Sequence, residues 1–157
     1  MPGSKEPRSR NAANTRLEGA AFRDATSFLL ARANAISVTR GNAALAPFGL
    51  RVRSYAVLEL AATDARPTQR ELASFLRLDP SQVVSLVDDL ESQGLVARTT
   101  DPDDRRTKVV EATALGRERV AEAREAIGAA DERVFASLSA QEREALTALL
   151  QRVAFDD

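Results

Sequence analysis

The stretch Pro67-Thr-Gln-Arg-Glu-Leu-Ala-Ser-Phe-Leu-Arg-Leu-Asp-Pro-Ser-Gln-Val-Val-Ser-Leu-Val-Asp-Asp-Leu-Glu-Ser-Gln-Gly94 reads as two helices joined by a tight turn. Thr68 and Glu71 have the spacing of a capping box, and Leu72, Phe75 and Leu76 behind them form one apolar face. Arg77, Leu78 and Asp79 make the turn. Asp79 then suits an N-cap and Pro80 a first helical position, where a missing N–H costs nothing. Val83, Val87 and Leu90 fall on one face of this second helix. Gly94 offers a left-handed stop that lets Leu95 fold back on Leu90.

Beyond Gly94, residues 95–100 and 107–112 have the β-branched content of paired strands, with a turn-rich loop Asp101-Pro-Asp-Asp-Arg-Arg106 between them. Helix, turn, helix and two-stranded ribbon make a winged helix-turn-helix. A helix fits the DNA major groove and a charged loop beside it reaches phosphates or the adjacent minor groove, so the arrangement points to double-stranded DNA as a partner.

These residues carry a resemblance. Leu78-Asp-Pro-Ser-Gln-Val-Val-Ser-Leu-Val-Asp-Asp-Leu-Glu-Ser-Gln-Gly-Leu-Val-Ala-Arg98, the loop to Arg106, and Leu115-Gly116-Arg117 after the second strand resemble the recognition helix and wing of the MarR family. The resemblance extends from about Asn14 to Val153. It implies a homodimeric bacterial transcription regulator whose DNA affinity is often changed by a small molecule. This chain departs from the commoner family pattern at Ser85 and Asp89, where arginine often stands.

Around this core the chain is short enough, at 157 residues, for one domain. Lys and Arg number 22 against 23 Asp and Glu, a net charge of −1, so any positive field is local. There is no cysteine and no histidine, which removes disulfides, thiol redox sensing, thiolate metal sites and the commonest general base. Carboxylate pairs such as Asp88/Asp89 and Asp103/Asp104 do not face one another on a helix or lack an apolar pocket, so neither an enzyme, a cofactor nor a metal site is expected. With no signal-peptide core and no apolar run long enough to span a bilayer, the expectation is a soluble, cytoplasmic protein with no membrane partner.

In chain order, residues 1–12 read as a polar, disordered arm and 13–157 as a single domain. Thr15 and Glu18 open a helical pattern that runs to Leu45 with two apolar stripes, and Gly41 is a place where its end frays or kinks. Pro47 and Gly49 close it, and a helix from Val52 to Thr63 backs the DNA-reading unit. After the wing, Thr113 caps a helix carrying Val120, Ala123, Ile127, Ala130, Val134 and Leu138. Ser139 and Glu142 then open a last helix expected to bury Leu146, Leu149, Leu150 and Val153.

The fold class is therefore mainly α with a small β-wing, a winged helix-turn-helix at about 50–112 flanked by dimerisation helices at about 14–46 and 113–154. Long terminal helices with apolar stripes that their own chain does not cover favour a two-fold dimer.

For DNA contact the sequence nominates Ser81, Gln82 and Ser85 at the start of the recognition helix. A glutamine amide pairs with N6 and N7 of adenine, although Gln82 is also spaced to complete a capping box with Asp79. Thr68, Gln69 and Arg70 are nominated for phosphates, and Arg98, Arg105, Arg106 and Lys108 for the positive side of the wing. By resemblance, Asp104 supports the wing by bracing Arg106. The acidic second half of the recognition helix, with Asp88, Asp89 and Glu91, leaves a protein-binding winged helix as the alternative. Also by resemblance, a small aromatic or anionic effector would reach Asn34, Ile36, Phe48, Arg51, Arg53 and Tyr55, an arginine near aromatic rings suiting a phenolic acid.

Overall fold

The computed structural model describes residues 21–102 and 104–155. Contacts divide the chain into two units, residues 1–36 and 37–157. The Thr15/Glu18 cap and the N-terminal arm lie outside the described residues. Within the first unit the expected unbroken helix is interrupted, because Ala21–Asp24 is a 3-10 turn and α1 is Thr26–Leu45. The break brings Phe22 edge-on to Phe28, ring centroids 4.8 Å apart. In a continuous α-helix six positions turn through about 240°, which would hold these rings on different faces.

In the second unit α1 continues through Gly41 to Leu45, contrary to the expected fraying. Gly41 is buried, and a Cβ there would lie 2.7 Å from Val52 Cγ2 and 3.1 Å from Ile127 Cδ1, so the glycine serves a close helix crossing. The Ala46–Phe48 3-10 turn ends on Gly49, which has φ 71°. Helix α2, Val52–Ala61, starts where the Asn42 Oδ1 accepts from the Val52 amide at 2.9 Å.

The helix-turn-helix is α3, Gln69–Leu76, and α4, Pro80–Ser92. Both ends of the Thr68–Glu71 capping box are made. Arg77 takes the left-handed conformation between the helices, with φ 51°. Gly94, φ 71°, completes a Schellman stop in which the Leu95 amide reaches the Leu90 carbonyl at 2.9 Å and the Gly94 amide reaches the Glu91 carbonyl at 2.9 Å.

Strands β1, Val96–Thr100, and β2, Lys108–Ala112, pair antiparallel with Val96 opposite Ala112 and Arg98 opposite Val110. On β2, the Val110 amide also donates to the Pro67 carbonyl at 2.8 Å, tying the entry of α3 to the wing.

Leu45, Leu50, Leu58, Leu72, Val83, Val87, Leu90 and Leu95 are fully buried in one apolar core, and no polar side chain among the described residues is buried with them. One expected core residue is misplaced: Phe75 is 59% exposed. At about 100° per residue, Leu72, Ala73 and Leu76 define the inner arc of α3, and Phe75 falls about 100° from its centre.

Helix α5, Ala114–Val134, begins on Thr113, whose hydroxyl accepts from the Gly116 amide at 3.0 Å, and stops short of the expected Leu138. Its Phe135 cap is followed by the Ser139–Glu142 box that opens α6, Ala140–Phe155. None of the α6 residues is buried within the chain, and Leu149 and Val153 are 56% and 75% exposed, against the expected burial. The stripe exists, and among the described residues it is left largely exposed.

Candidate nucleic-acid interface

Helix α4 separates its two faces cleanly. Val83, Val87 and Leu90 are fully buried, while Ser81, Gln82, Val84 and Ser85 are exposed. Asp79 caps through the Ser81 amide, 2.8 Å away, and these bonds hold its carboxyl below the usual range, the Ser81 hydroxyl first and then the amide. The capping role open to Gln82 is taken by Asp79 alone, so the Gln82 side chain projects outward with its amide available. The Ser85 hydroxyl is turned back to the Ser81 carbonyl at 3.2 Å. Val84, 42% exposed across the buried stripe from Gln82, is a further candidate that the sequence reading did not nominate; an apolar residue outside the buried stripe was its signal.

At the start of α3 the Thr68 amide and hydroxyl both donate to Glu71 Oε2, at 2.7 and 2.8 Å. Those bonds hold the Glu71 carboxyl low. Arg70 is exposed, whereas Gln69 is turned inward and its Oε1 accepts from Arg98 at 3.0 Å.

Arg98 itself is not displayed to solvent like the other nominated arginines. Its guanidinium bonds Asp88, Glu91 and Gln69 together, and its backbone amide donates to Glu91 Oε1 at 3.1 Å. The spacing that could have revealed this is Asp88 and Glu91, one turn apart on α4 and just ahead of the glycine that reverses the chain.

At the wing tip, Asp104 Oδ1 accepts from the Arg106 amide at 3.0 Å and Oδ2 from the Thr107 hydroxyl at 3.0 Å. The Arg106 Nε lies 3.9 Å from that carboxylate, so Asp104 supports the turn through its backbone more than through the guanidinium. The Arg106 side chain is 98% exposed, and Arg105 is exposed beside it. Lys108 reaches across the ribbon to the Thr100 hydroxyl at 2.6 Å. At the other end Glu111 accepts from Thr99 and pairs with Arg66 at 2.8 Å, and these two, Thr99 first, hold its carboxyl low.

The residues nominated for an effector fall in both units. Arg51 lines a cavity of about 440 Å³ with Asn42, Ala43, Ala46, Gly49 and Leu50. Arg53 is exposed, Phe48 is half-buried against the core, and Asn34 and Ile36 belong to the other unit. Tyr55 is not part of that cavity's lining; its hydroxyl donates to Glu59, which Arg124 of α5 grips with two bonds of 3.1 and 2.8 Å. Burial first, and then the bond to the Glu59 carboxylate, push the Tyr55 hydroxyl up to about 12, while Arg124 pulls the Glu59 carboxyl down. Among the described residues no cluster of acidic side chains could hold a metal ion, and no helix is long and apolar enough to cross a membrane.

An apolar inner face, a polar outer face and a two-stranded wing carrying exposed arginines define a winged helix-turn-helix regulator. The family model described as "MarR family" matches residues 50–108. Two solved structures cover 88% of this chain: a MarR-family transcriptional regulator from Rhodococcus sp. RHA1, 42% identical with a TM-score of 0.82 over 98% of that chain, and CouR from Rhodococcus jostii RHA1 bound to p-coumaroyl-CoA, 43% identical with a TM-score of 0.80 over 97%. The Mycobacterium tuberculosis protein Rv2887, called an HTH-type transcriptional repressor, is 29% identical over 82% of this chain and 93% of its own length. Its structures include a complex with DNA, at a TM-score of 0.68, and one with p-aminosalicylic acid, at 0.69. A candidate regulatory protein for the hcr operon of Thauera aromatica is 34% identical over 99 residues, and the match spans 60% of that protein. The chain belongs to the MarR family of transcriptional regulators.

Proposed function

We propose that this regulator is a repressor that binds a palindromic operator as a homodimer and is released by a small aromatic or anionic ligand. The observation that carries the DNA reading is the outward face of α4, with Gln82 free to pair and Arg105 and Arg106 exposed on the wing. Two such helices related by a two-fold axis would meet half-sites about one helical turn apart. Gln82 reads adenine, Val84 packs on a thymine methyl, Ser81 and Ser85 flank them, and Arg106 enters the minor groove. Thr68, Arg70, Arg105 and Lys108 face phosphate. The apolar stripe of α6, with Leu149 and Val153 exposed among the described residues, supports the dimer. The domain limits read from the sequence, about 50–112 for the winged unit with dimerisation helices on either side, are part of this proposal.

The test is affinity against salt on a duplex selected from random DNA. Several neutralised phosphates make log K fall linearly with log salt, and a flat response would favour a protein-binding winged helix instead. On the same duplex Gln82→Ala is expected to cost about 1–3 kcal/mol and to relax base preference at one position. Arg106→Ala should weaken binding and erase the preference for A·T-rich flanks.

The effector reading is supported by the ligands of the CouR and Rv2887 structures and by the cavity beside Arg51, large enough for a small aromatic acid. A phenolic carboxylate or its acyl-CoA thioester, at about 100 times its Kd, should stabilise the free protein by about 2.7 kcal/mol, read as a higher melting temperature. DNA and ligand should then weaken one another by the same factor. A shift unchanged by Arg51→Ala would remove that cavity from the site, and no shift with either probe would remove the effector.

A further inference from the structure

We infer that Arg98 is a positioning residue for base reading, the bolt that fixes the recognition helix against the wing, and not a phosphate ligand. The inference rests on the DNA-binding reading of α4. One guanidinium joins three elements: Gln69 at the start of α3, Asp88 and Glu91 on α4, and, through its own backbone, β1. Its side chain is only 24% exposed, against 98% for Arg106. A planar fork with several N–H donors holds three acceptors at fixed angles, which an ammonium on a flexible stem does not.

The geometry explains why a DNA-reading helix carries carboxylates. The buried stripe of α4 sets which side faces the core, but a row of aliphatic side chains resists small rotations of a helix weakly. Asp88 and Glu91 lie one turn apart near the C-terminal end of α4, and pinning both to β1 fixes the rotation of the helix about its axis. That rotation determines where Gln82 and Val84 point. The same bonds hold the two carboxylates on the wing arginine, away from the approaching phosphates. Asp89, between them in sequence, is exposed and takes no part.

Three full-length variants test the assignment: Arg98→Met, Arg98→Lys, and Asp88→Asn with Glu91→Gln, the last isosteric and checked for folding by thermal melting. Affinity is measured across salt on the selected duplex and on a scrambled duplex of equal length and composition. Positioning predicts that all three lose the preference for the selected duplex, by about tenfold or more in Arg98→Met and the double amide variant, the scale of one misplaced base contact. The salt slope on scrambled DNA should stay unchanged.

The double amide variant gives the sharpest sign. Removing two negative charges from a DNA-facing helix should tighten binding to all DNA by charge alone, yet positioning requires discrimination to fall. The assignment is overturned if Arg98→Met lowers the salt slope by about 0.9, Arg98→Lys behaves as wild type, and the amide variant binds both duplexes more tightly by the same factor with its preference for the selected duplex intact, since those are the marks of a phosphate contact. A wild-type protein with no salt-dependent DNA binding would instead overturn the DNA reading itself.

Discussion

Gly116→Ala is expected to destabilise the protein by about 3 kcal/mol, the upper end for overpacked sites, and to displace the first wing strand. A Cβ on Gly116 would sit 2.0 Å from the Leu95 carbonyl oxygen and 3.0 Å from its carbon. Those atoms are backbone, so no side-chain rotation relieves the clash. The same oxygen accepts from the Thr113 amide at 3.0 Å, at the start of α5, and Leu95 is the residue that closes the Schellman stop of α4. Moving it therefore disturbs the end of the recognition helix and the start of α5 together. Gly128→Ala is the control, because nothing lies within 4 Å of its added methyl and alanine favours a helix interior by about 0.5–1 kcal/mol. Chemical denaturation of both should give opposite signs, and a Gly116→Ala protein as stable as the control would show that Leu95 yields freely.

Leu90→Ala should cost about 2–5 kcal/mol, the range for deleting a fully buried leucine and leaving a cavity. Leu90 has no exposed surface, and its carbonyl receives the Leu95 amide, so it supports α4 from inside and at its end. The denaturation midpoint should fall with an unchanged slope, marking lost stability without a change in the surface exposed on unfolding. Gln82→Ala on the opposite face should leave that midpoint where it is, since Gln82 is exposed and its bond to Asp79 is made by the backbone amide, which alanine keeps. Equal midpoints for Leu90→Ala and Gln82→Ala would mean that the two faces of α4 are not divided as described.

The helix boundaries around the winged unit were legible because they are local chemistry. Thr68 with Glu71, Asp79 with Pro80, Gly94, Thr113, and Ser139 with Glu142 each act within a few residues, and each caps or stops a helix where its spacing says it should. What escaped the sequence depends on distant pieces meeting. The charge of Arg98 is visible in the sequence and its partnership is not; its acceptors meet it only after the Gly94 reversal. The Tyr55–Glu59 spacing is local, but the Arg124 that grips Glu59 comes from α5, far along the chain. Phe75 was assigned to the core by spacing alone, but an eight-residue helix buries a narrow arc, and Phe75 lies outside it beside Phe155, ring centroids 5.8 Å apart. The last helix has the stripe its spacing promised, and Leu149 and Val153 on it are exposed among the described residues.

Gly41 has a mechanical meaning beyond saving space. Where helices cross on long side chains, the contact is a cushion: rotamers change and one helix slides past another over small distances. At Gly41 the backbone of α1 rests directly on Val52 of α2 and Ile127 of α5, with no side chain of its own between. Val52 and Ile127 are branched at Cβ and stiff, so the seat has little give. Such a crossing behaves as a fulcrum. A push on one of the three helices is passed on as tilt about that point, and a small displacement at one end of α5 becomes a larger one at the far end of its 21-residue length.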